Sequence, residues 1–488
     1  MTLPFEKAKI LCVGDLLLDR YITGSARRLS PEAPVPVVSM DATRNALGGA
    51  ANVAHNIASA GAQCTLVGVL GQDAAAGALK EALTSVANIT PLCLSSSTRT
   101  TPVKTRVMVG QHQLVRLDEE KTDPLTPSLA AEVYKVVAAQ IKQHNLVVLS
   151  DYNKGTLPPT LTTQMIAEAQ RQEKRVLVDP KGDSYEKYRG AFLLTPNLKE
   201  FSEVFGLHAD LGEVCQRAQQ ALAEYDWQAI LLTCSEAGMR LITREKVAAV
   251  SATQQEVFDV SGAGDTAMAY FSVAIAMGLA LEESMTFAND AAGCAVRKSG
   301  TAVVSWEEVC TASGDFSLKR VSLEEASKKV CTWRQLGQKI GFTNGCFDVL
   351  HPGHLATLRT ARTHCDRLIV GLNTDLSVRR LKGPSRPLQN ENTRAEILAA
   401  LQDVDLVVLF DTLSPKELIE VLQPDVLVKG AEYRIENLSG AQEILDRGGQ
   451  VILADMKPGF STSHFIEERF LLEQREEVDG TQRKRKSS

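Results

Sequence analysis

The stretch FDVSGAGDTAMAYFSVAIAMG at residues 258–278 joins a glycine-rich turn to an apolar helix. Gly262 and Gly264 let backbone amides come close to an anion, with Ala263 between them. The helix start aims further N–H groups and the positive end of its dipole at the same point. Asp265 lies inside that nest. A carboxylate there is a poor phosphate ligand, but it is well placed to take a proton from a hydroxyl that attacks the phosphate. An isolated GxGD is equally well explained as a helix cap, so the rest of the chain decides.

Upstream, short apolar runs alternate with amphipathic segments. KILCVGD, CTLVGVLG, NLVVLSD, RVLVDPK, FLLTPN and AILLTCS read as buried strands, separated by helical patterns such as LAAEVYKVVAAQIKQ. This alternation predicts an α/β fold with a parallel, doubly wound sheet. Ligands bind at the carboxyl ends of such strands, where Asp15, Asp151, Asp179 and Asn197 stand. Residues 311–339 change character: they are charged and helical, with no strand expected, and read as a linker and lead-in helix. The alternation then restarts with KIGFTNG, RLIVGLN, DLVVLF, DVLVKG and QVILAD, a second and smaller parallel unit. The expected domains are 1–318, a linker at 319–340, 341–477 and a disordered tail at 478–488.

The 488 residues carry a net charge of −6, which argues against a nucleic-acid partner. No run approaches about 18 uninterrupted apolar residues, so no membrane partner is expected. The ten cysteines include no CxxC pair, so reduced thiols in a cytoplasmic protein are expected.

The second chemical signal is TNGCFDVLHPGHL at 343–355. His351 and His354 suggest a metal pair, but a zinc site needs a third and usually a fourth ligand. None stands at a recognised spacing, so no metal site is expected. Pro352 suits a first helical turn, and Gly353 keeps bulk away. Together they build a flat helix start between two imidazoles, which suits a triphosphate. Asp348 and Asp375 read equally well as metal or ribose partners and as helix caps; Arg394 reads as a phosphate clamp or a solvated helix residue.

Five motifs, VGDLLLDRY, LGGAANVAHNIASAGA, TPNLKE, LLTCSEAG and DVSGAGD, stand in the order found in ribokinase-like sugar kinases, which residues 8–305 resemble. The resemblance implies a ribokinase-like doubly wound domain. It implies that Asp265 is the base and that Gly262, Ala263 and Gly264 form the anion hole. Asp15, Gly48, Gly49 and Asn52 would contact sugar hydroxyls. Asn197 and Glu200 would hold the phosphate and Mg2+ region. Thr233, Gly238 and Asn289 would accept the nucleotide. Two departures bear on the nucleotide: Val260 and Ser261 replace the usual threonines, and Ser235 replaces a glycine.

Residues 341–472 resemble the HxGH nucleotidyltransferases related to cytidylyltransferases, on the HPGH, GLNTD and PGFSTSHF motifs. That implies a Rossmann-like domain in which a substrate phosphate attacks the α-phosphate of a nucleoside triphosphate. His351 and His354 would donate to phosphate oxygens, Lys382 would neutralise pyrophosphate, and Ser461, Thr462 and Ser463 would add donors. With SPEAPVPV at 30–37, essentially the whole chain apart from the tail resembles bacterial fusions of a sugar-phosphate kinase to an adenylyltransferase that make a nucleotide-activated heptose. The implied small molecules are sugar phosphates and ATP, used at both sites. Lys104, Arg106 and Lys154 are candidates for a phosphate already on the sugar. The apolar run PVPVVSM suggests a dimer.

Overall fold

The computed structural model describes residues 7–454 except 111, 209, 253–256, 299, 313–318, 336 and 432. The chain separates into two compact units, Leu3–Ser313 and the residues from Gly314 onward.

The first unit is built on a nine-stranded sheet. From one edge its strands are Val247–Val250, Met239–Thr243, Ala229–Thr233, Leu193–Leu194, Arg175–Asp179, Leu146–Ser150, Lys9–Gly14, Gln63–Leu70 and Ile89–Ser95. Seven are parallel, and the apolar runs are continuous because both faces are covered. In Lys9–Gly14, Ile10 and Cys12 enter one core while Leu11 and Val13 enter the other. Lys9–Gly14 pairs with Leu146–Ser150 on one side and Gln63–Leu70 on the other. The chain winds away in both directions from this point, and a crevice opens at the carboxyl ends.

Two features depart from the purely parallel expectation. Met239–Thr243 and Val247–Val250 run antiparallel at one edge. A separate four-stranded sheet, ordered Pro36–Gly49, Leu16–Leu29, Val103–Val109 and His112–Glu119, leaves the main sheet just after Asp15 and forms a lid. Pro36–Gly49 and His112–Glu119 are mostly exposed and polar, and apolar runs mark only the start of Leu16–Leu29 and the PVVSM of Pro36–Gly49.

The second unit has six parallel strands, ordered Arg320–Val321, Leu406–Phe410, Arg367–Asn373, Ile340–Gly345, Val426–Gly430 and Gln450–Ala454. Arg320–Val321 lies inside the segment expected to contain no strand. It is two residues long at a sheet edge, and only Val321 is buried, too little to leave a pattern. The helix Leu323–Gln335 follows as expected. Ile340–Gly345 is again a switch point, between Arg367–Asn373 and Val426–Gly430. No helix among the described residues is long and apolar enough to cross a membrane.

Candidate functional site

In the first unit, Asp265 sits in the first turn of the helix Ala263–Ala276 and is 3% exposed. Gly262 caps that helix with φ 79°, and a Cβ there would lie 2.9 Å from Asn52 Nδ2. Gly264 faces open space, leaving its surroundings clear for a ligand. Two donors hold the Asp265 carboxylate: Asn52 Nδ2 at 2.7 Å and the Tyr152 hydroxyl at 2.5 Å. Burial raises the Asp265 pKa to about 6, against the opposing pull of these two hydrogen bonds. The result is a carboxylate poised near neutral pH, which suits a general base.

Asp15 is buried, and both its oxygens accept backbone amides: Tyr152 N and Lys154 N at 2.9 Å, and Thr156 N at 3.0 Å. It therefore shapes the 152–156 loop that carries Tyr152 to the base. A Cβ on Gly48 would collide with the Asp19 carboxylate, and one on Gly49, at φ 58°, with Leu17 and the Asp15 carbonyl. These glycines let Pro36–Gly49 lie close against Asp15 and the paired strand Leu16–Leu29. Lys104 lies 5.3 Å over the Tyr152 ring. Arg106 pairs with buried Asp19, and Lys154 pairs with Glu120 at 2.6 Å.

The residues expected at the nucleotide have local partners. Asn197 and Glu200 form a reciprocal capping box on the helix Leu198–Phe205, and Glu200 also meets Lys181 at 2.5 Å. Asn289 donates to the Ser251 carbonyl at 3.1 Å, and Thr233 bridges to Asn197. Gly238, at φ 76°, sits where a Cβ would strike the Val250 carbonyl. Asp179 is close enough to feel Asp265 and Glu200: burial first, then those two charges, pushes its carboxyl well above the usual range.

In the second unit, His351 caps the helix Pro352–Thr363, and its Nδ1 accepts the His354 amide at 3.4 Å. The two imidazoles stack with centroids 3.7 Å apart, and Phe347 backs His354 at 4.9 Å. Burial, then the neighbouring His351 and Lys382, pulls His354 down to about 3, so it is neutral at pH 7 in the ligand-free site. Lys382 ends the helix Asp375–Lys382 and is exposed, close enough for its charge to act on His354. Ser461, Thr462 and Ser463 lie outside the described residues.

Arg394 is neither a phosphate clamp nor a solvated residue. It is 1% exposed and donates to the Gln389, Cys346 and Asn373 carbonyls at 2.7–2.9 Å and to Asp375 Oδ1 at 2.6 Å. It ties the turn after the HPGH strand to the end of the next strand. Asp348 is likewise internal, accepting Leu388 N at 2.7 Å and Gln389 N at 3.2 Å and pairing with Arg386 at 3.0 Å. Sequence reading missed Tyr152, two residues before the candidate Lys154, because its hydroxyl carries no charge to single it out.

Comparison with known proteins agrees with this division. A model of the pfkB family carbohydrate kinases matches residues 7–308, and a cytidylyltransferase-like model matches 342–468. The first unit shares its fold with Arabidopsis thaliana ribokinase complexed with ribose and ATP (TM-score 0.52, 21% identity, 62% of this chain and 98% of that one). Escherichia coli phosphofructokinase-2 with substrates and products is similar (TM-score 0.53, 20% identity, 62% and 96%). The fold and the two sites thus define a carbohydrate kinase joined to a nucleotidyltransferase. The Bifunctional protein HldE of Rhodospirillum rubrum is 44% identical over 467 residues, 94% of each chain. That of Azorhizobium caulinodans is 45% identical over 469 residues, 94% of this chain and 98% of the relative. The chain belongs to the bifunctional HldE family.

Proposed function

We propose that the first unit transfers the γ-phosphoryl group of ATP to the C1 hydroxyl of D-glycero-β-D-manno-heptose 7-phosphate, giving the 1,7-bisphosphate. The second unit then transfers AMP from ATP to D-glycero-β-D-manno-heptose 1-phosphate, giving ADP-heptose and pyrophosphate for the lipopolysaccharide core. The C7 phosphate is removed between the two steps by a separate phosphatase. One observation carries the reading: a single chain holds a buried carboxylate at a glycine-walled helix start and a stacked histidine pair at another.

In the kinase, Asp265 takes the proton of the sugar hydroxyl as its oxygen attacks the γ-phosphorus, and the amides around Gly262, Ala263 and Gly264 meet the negative charge on the phosphoryl oxygens. Asn52 orients the carboxylate, and Asp15 acts by holding the Tyr152 loop. Thr233, Gly238 and Asn289 line the nucleotide. Mg2+ fits this site by its donor set: Asp179 is buried within range of the Asp265 and Glu200 charges, and carboxylate oxygens suit a hard cation. Among the described residues no three such side chains form a ready-made cage; Asn197 and Glu200 would hold the ion beside the ATP phosphates, with Asp179 close by. When bound it neutralises charge on those phosphates.

In the transferase, a sugar phosphate oxygen attacks the α-phosphorus and pyrophosphate leaves. The attacking oxygen carries no proton, so no base is required. His351 and His354 donate to phosphate oxygens, Lys382 neutralises the departing pyrophosphate, and catalysis is positioning. Use of ATP and the absence of disulfides among the ten cysteines support a cytoplasmic enzyme. Exposed Leu29, Met40, Leu114 and Leu117 on the lid support a homodimer.

Two variants and two substrates test the assignment. Asp265→Asn is expected to abolish sugar phosphorylation and leave adenylyl transfer, and His354→Ala to do the reverse. Loss of both activities in a folded single variant would refute the two-site model. Preference for CTP over ATP in pyrophosphate release would refute ADP-heptose as the product.

A further inference from the structure

We propose that one cross-strand row of the lid, Arg44, Arg106 and Arg116 around Tyr21, binds the distal phosphate of the kinase's sugar substrate. The inference rests on the reading of that substrate as a sugar phosphate, and it redraws which cations do the work.

The strand register defines two rows. Tyr21 lies opposite Arg44 on one side and Arg106 on the other, and Arg106 lies opposite Arg116. Two residues nearer the base, Asp19 lies opposite Ala46 and Lys104, and Lys104 opposite Asp118. Residues opposite one another share a face, and the two-residue step keeps both rows on it. It is the inward face: Asp19 and Tyr21 are 4% and 5% exposed. Lys104 covers the Tyr152 ring, whose hydroxyl reaches Asp265. The lid therefore lays its first row over the base and the arginine row one step beyond, about 7 Å along each strand. A sugar whose acceptor hydroxyl meets Asp265 has its far end beneath the arginines.

The arginines outnumber the carboxylates of their own two rows. Arg44 and Arg106 lie 4.8 and 5.3 Å from the Tyr21 ring centre. Arg106 is paired with Asp19 and Arg116 with Asp118 at 2.9 Å. The two rows hold four cations, Arg44, Lys104, Arg106 and Arg116, against two carboxylates. Like charges directly across a strand pair destabilise it, yet Arg106 faces Arg116. Asp259 also acts on Arg106, which leaves an excess of one positive charge beside the row; a phosphomonoester, at about −1.5 to −2 at pH 7, is attracted to it, and guanidinium forks fit its oxygens. Lys154, paired with Glu120 at 2.6 Å, is left out of this site.

The test uses the full chain with heptose 7-phosphate and with the same heptose lacking the phosphate. Arg44→Ala and Arg116→Ala should each raise KM for heptose 7-phosphate about tenfold or more. KM for ATP and kcat/KM for the unphosphorylated sugar should be unchanged, and Arg44→Lys should recover part of the loss. Equal losses with both sugars, a rise confined to ATP, or no change would overturn the proposal. Both arginines are exposed, and circular dichroism checks that the variants fold. Calorimetric binding of inorganic phosphate to the nucleotide-free protein separates this proposal from the substrate reading. A site lost in Arg44→Ala supports the arginine row even if heptose 7-phosphate proves not to be the substrate, and an unaltered isotherm refutes it.

Discussion

Asp265 binds its proton more tightly than an exposed aspartate does, and the hydroxyl of Tyr152 limits how tightly. A hydrogen bond donated to the charged carboxylate favours that form and lowers its pKa. Tyr152→Phe removes the donor while Asn52 and the burial remain, so the pKa should rise above its present value of about 6. The base works only when deprotonated. The acid limb of the kinase kcat/KM profile should therefore fall near pH 6 in the wild type and move to higher pH in the variant. The variant would lose more activity at pH 6 than at pH 8. An unshifted profile would show that Tyr152 merely packs. Asp265 itself was legible in the sequence, because a carboxylate beside GAG at a helix start has a local chemical meaning. Tyr152 was not, because its contact with Asp265 spans 113 residues and exists only once strand ends converge. Arg394 was misjudged for a related reason: its four acceptors come from separate turns, and a buried arginine leaves no signature unlike that of an exposed one.

At the scale of elements, both sites stand where a central strand ends and the chain divides to either side. Continuous apolar runs exposed those strands in the sequence, since a strand covered on both faces has no polar position. Most of the lid lacked that signal beyond the short runs LLL and PVVSM, and the arginine row appears only when the register of four strands is known. Arg394 shows how much an element junction depends on one side chain. Replacing it by leucine leaves the Asp375 oxygen and three carbonyls without their donor, at a cost of about 3–5 kcal/mol. Chemical denaturation of the second unit should shift accordingly, with transferase activity lost. Arg394→Lys keeps the charge but not the planar fork. It should fold better than the leucine variant and still transfer adenylyl groups slowly, read as a fall in kcat larger than any change in KM. Equal activity of lysine and arginine would reduce Arg394 to a charge.

At the scale of the whole molecule, the core residues of the first unit lie between Ala8 and Val309, and those of the second between Val321 and Ala454. No described core cluster draws on both. Each described hydrophobic core is thus closed within its own stretch of chain, and a lesion in one is expected to leave the other folded. The consequence is genetic. An allele altered at Asp265 and an allele altered at His354 should complement one another in the same cell, because each supplies the activity its partner lacks and the sugar phosphate diffuses between them. A nonsense codon beyond residue 320 should behave as a transferase-null allele alone, whereas one upstream of residue 258 removes both activities and complements neither. Full-length lipopolysaccharide in cells carrying the two missense alleles, and its absence with either one, is the expected phenotype; failure of the pair to complement would mean that the two halves must be intact in one polypeptide.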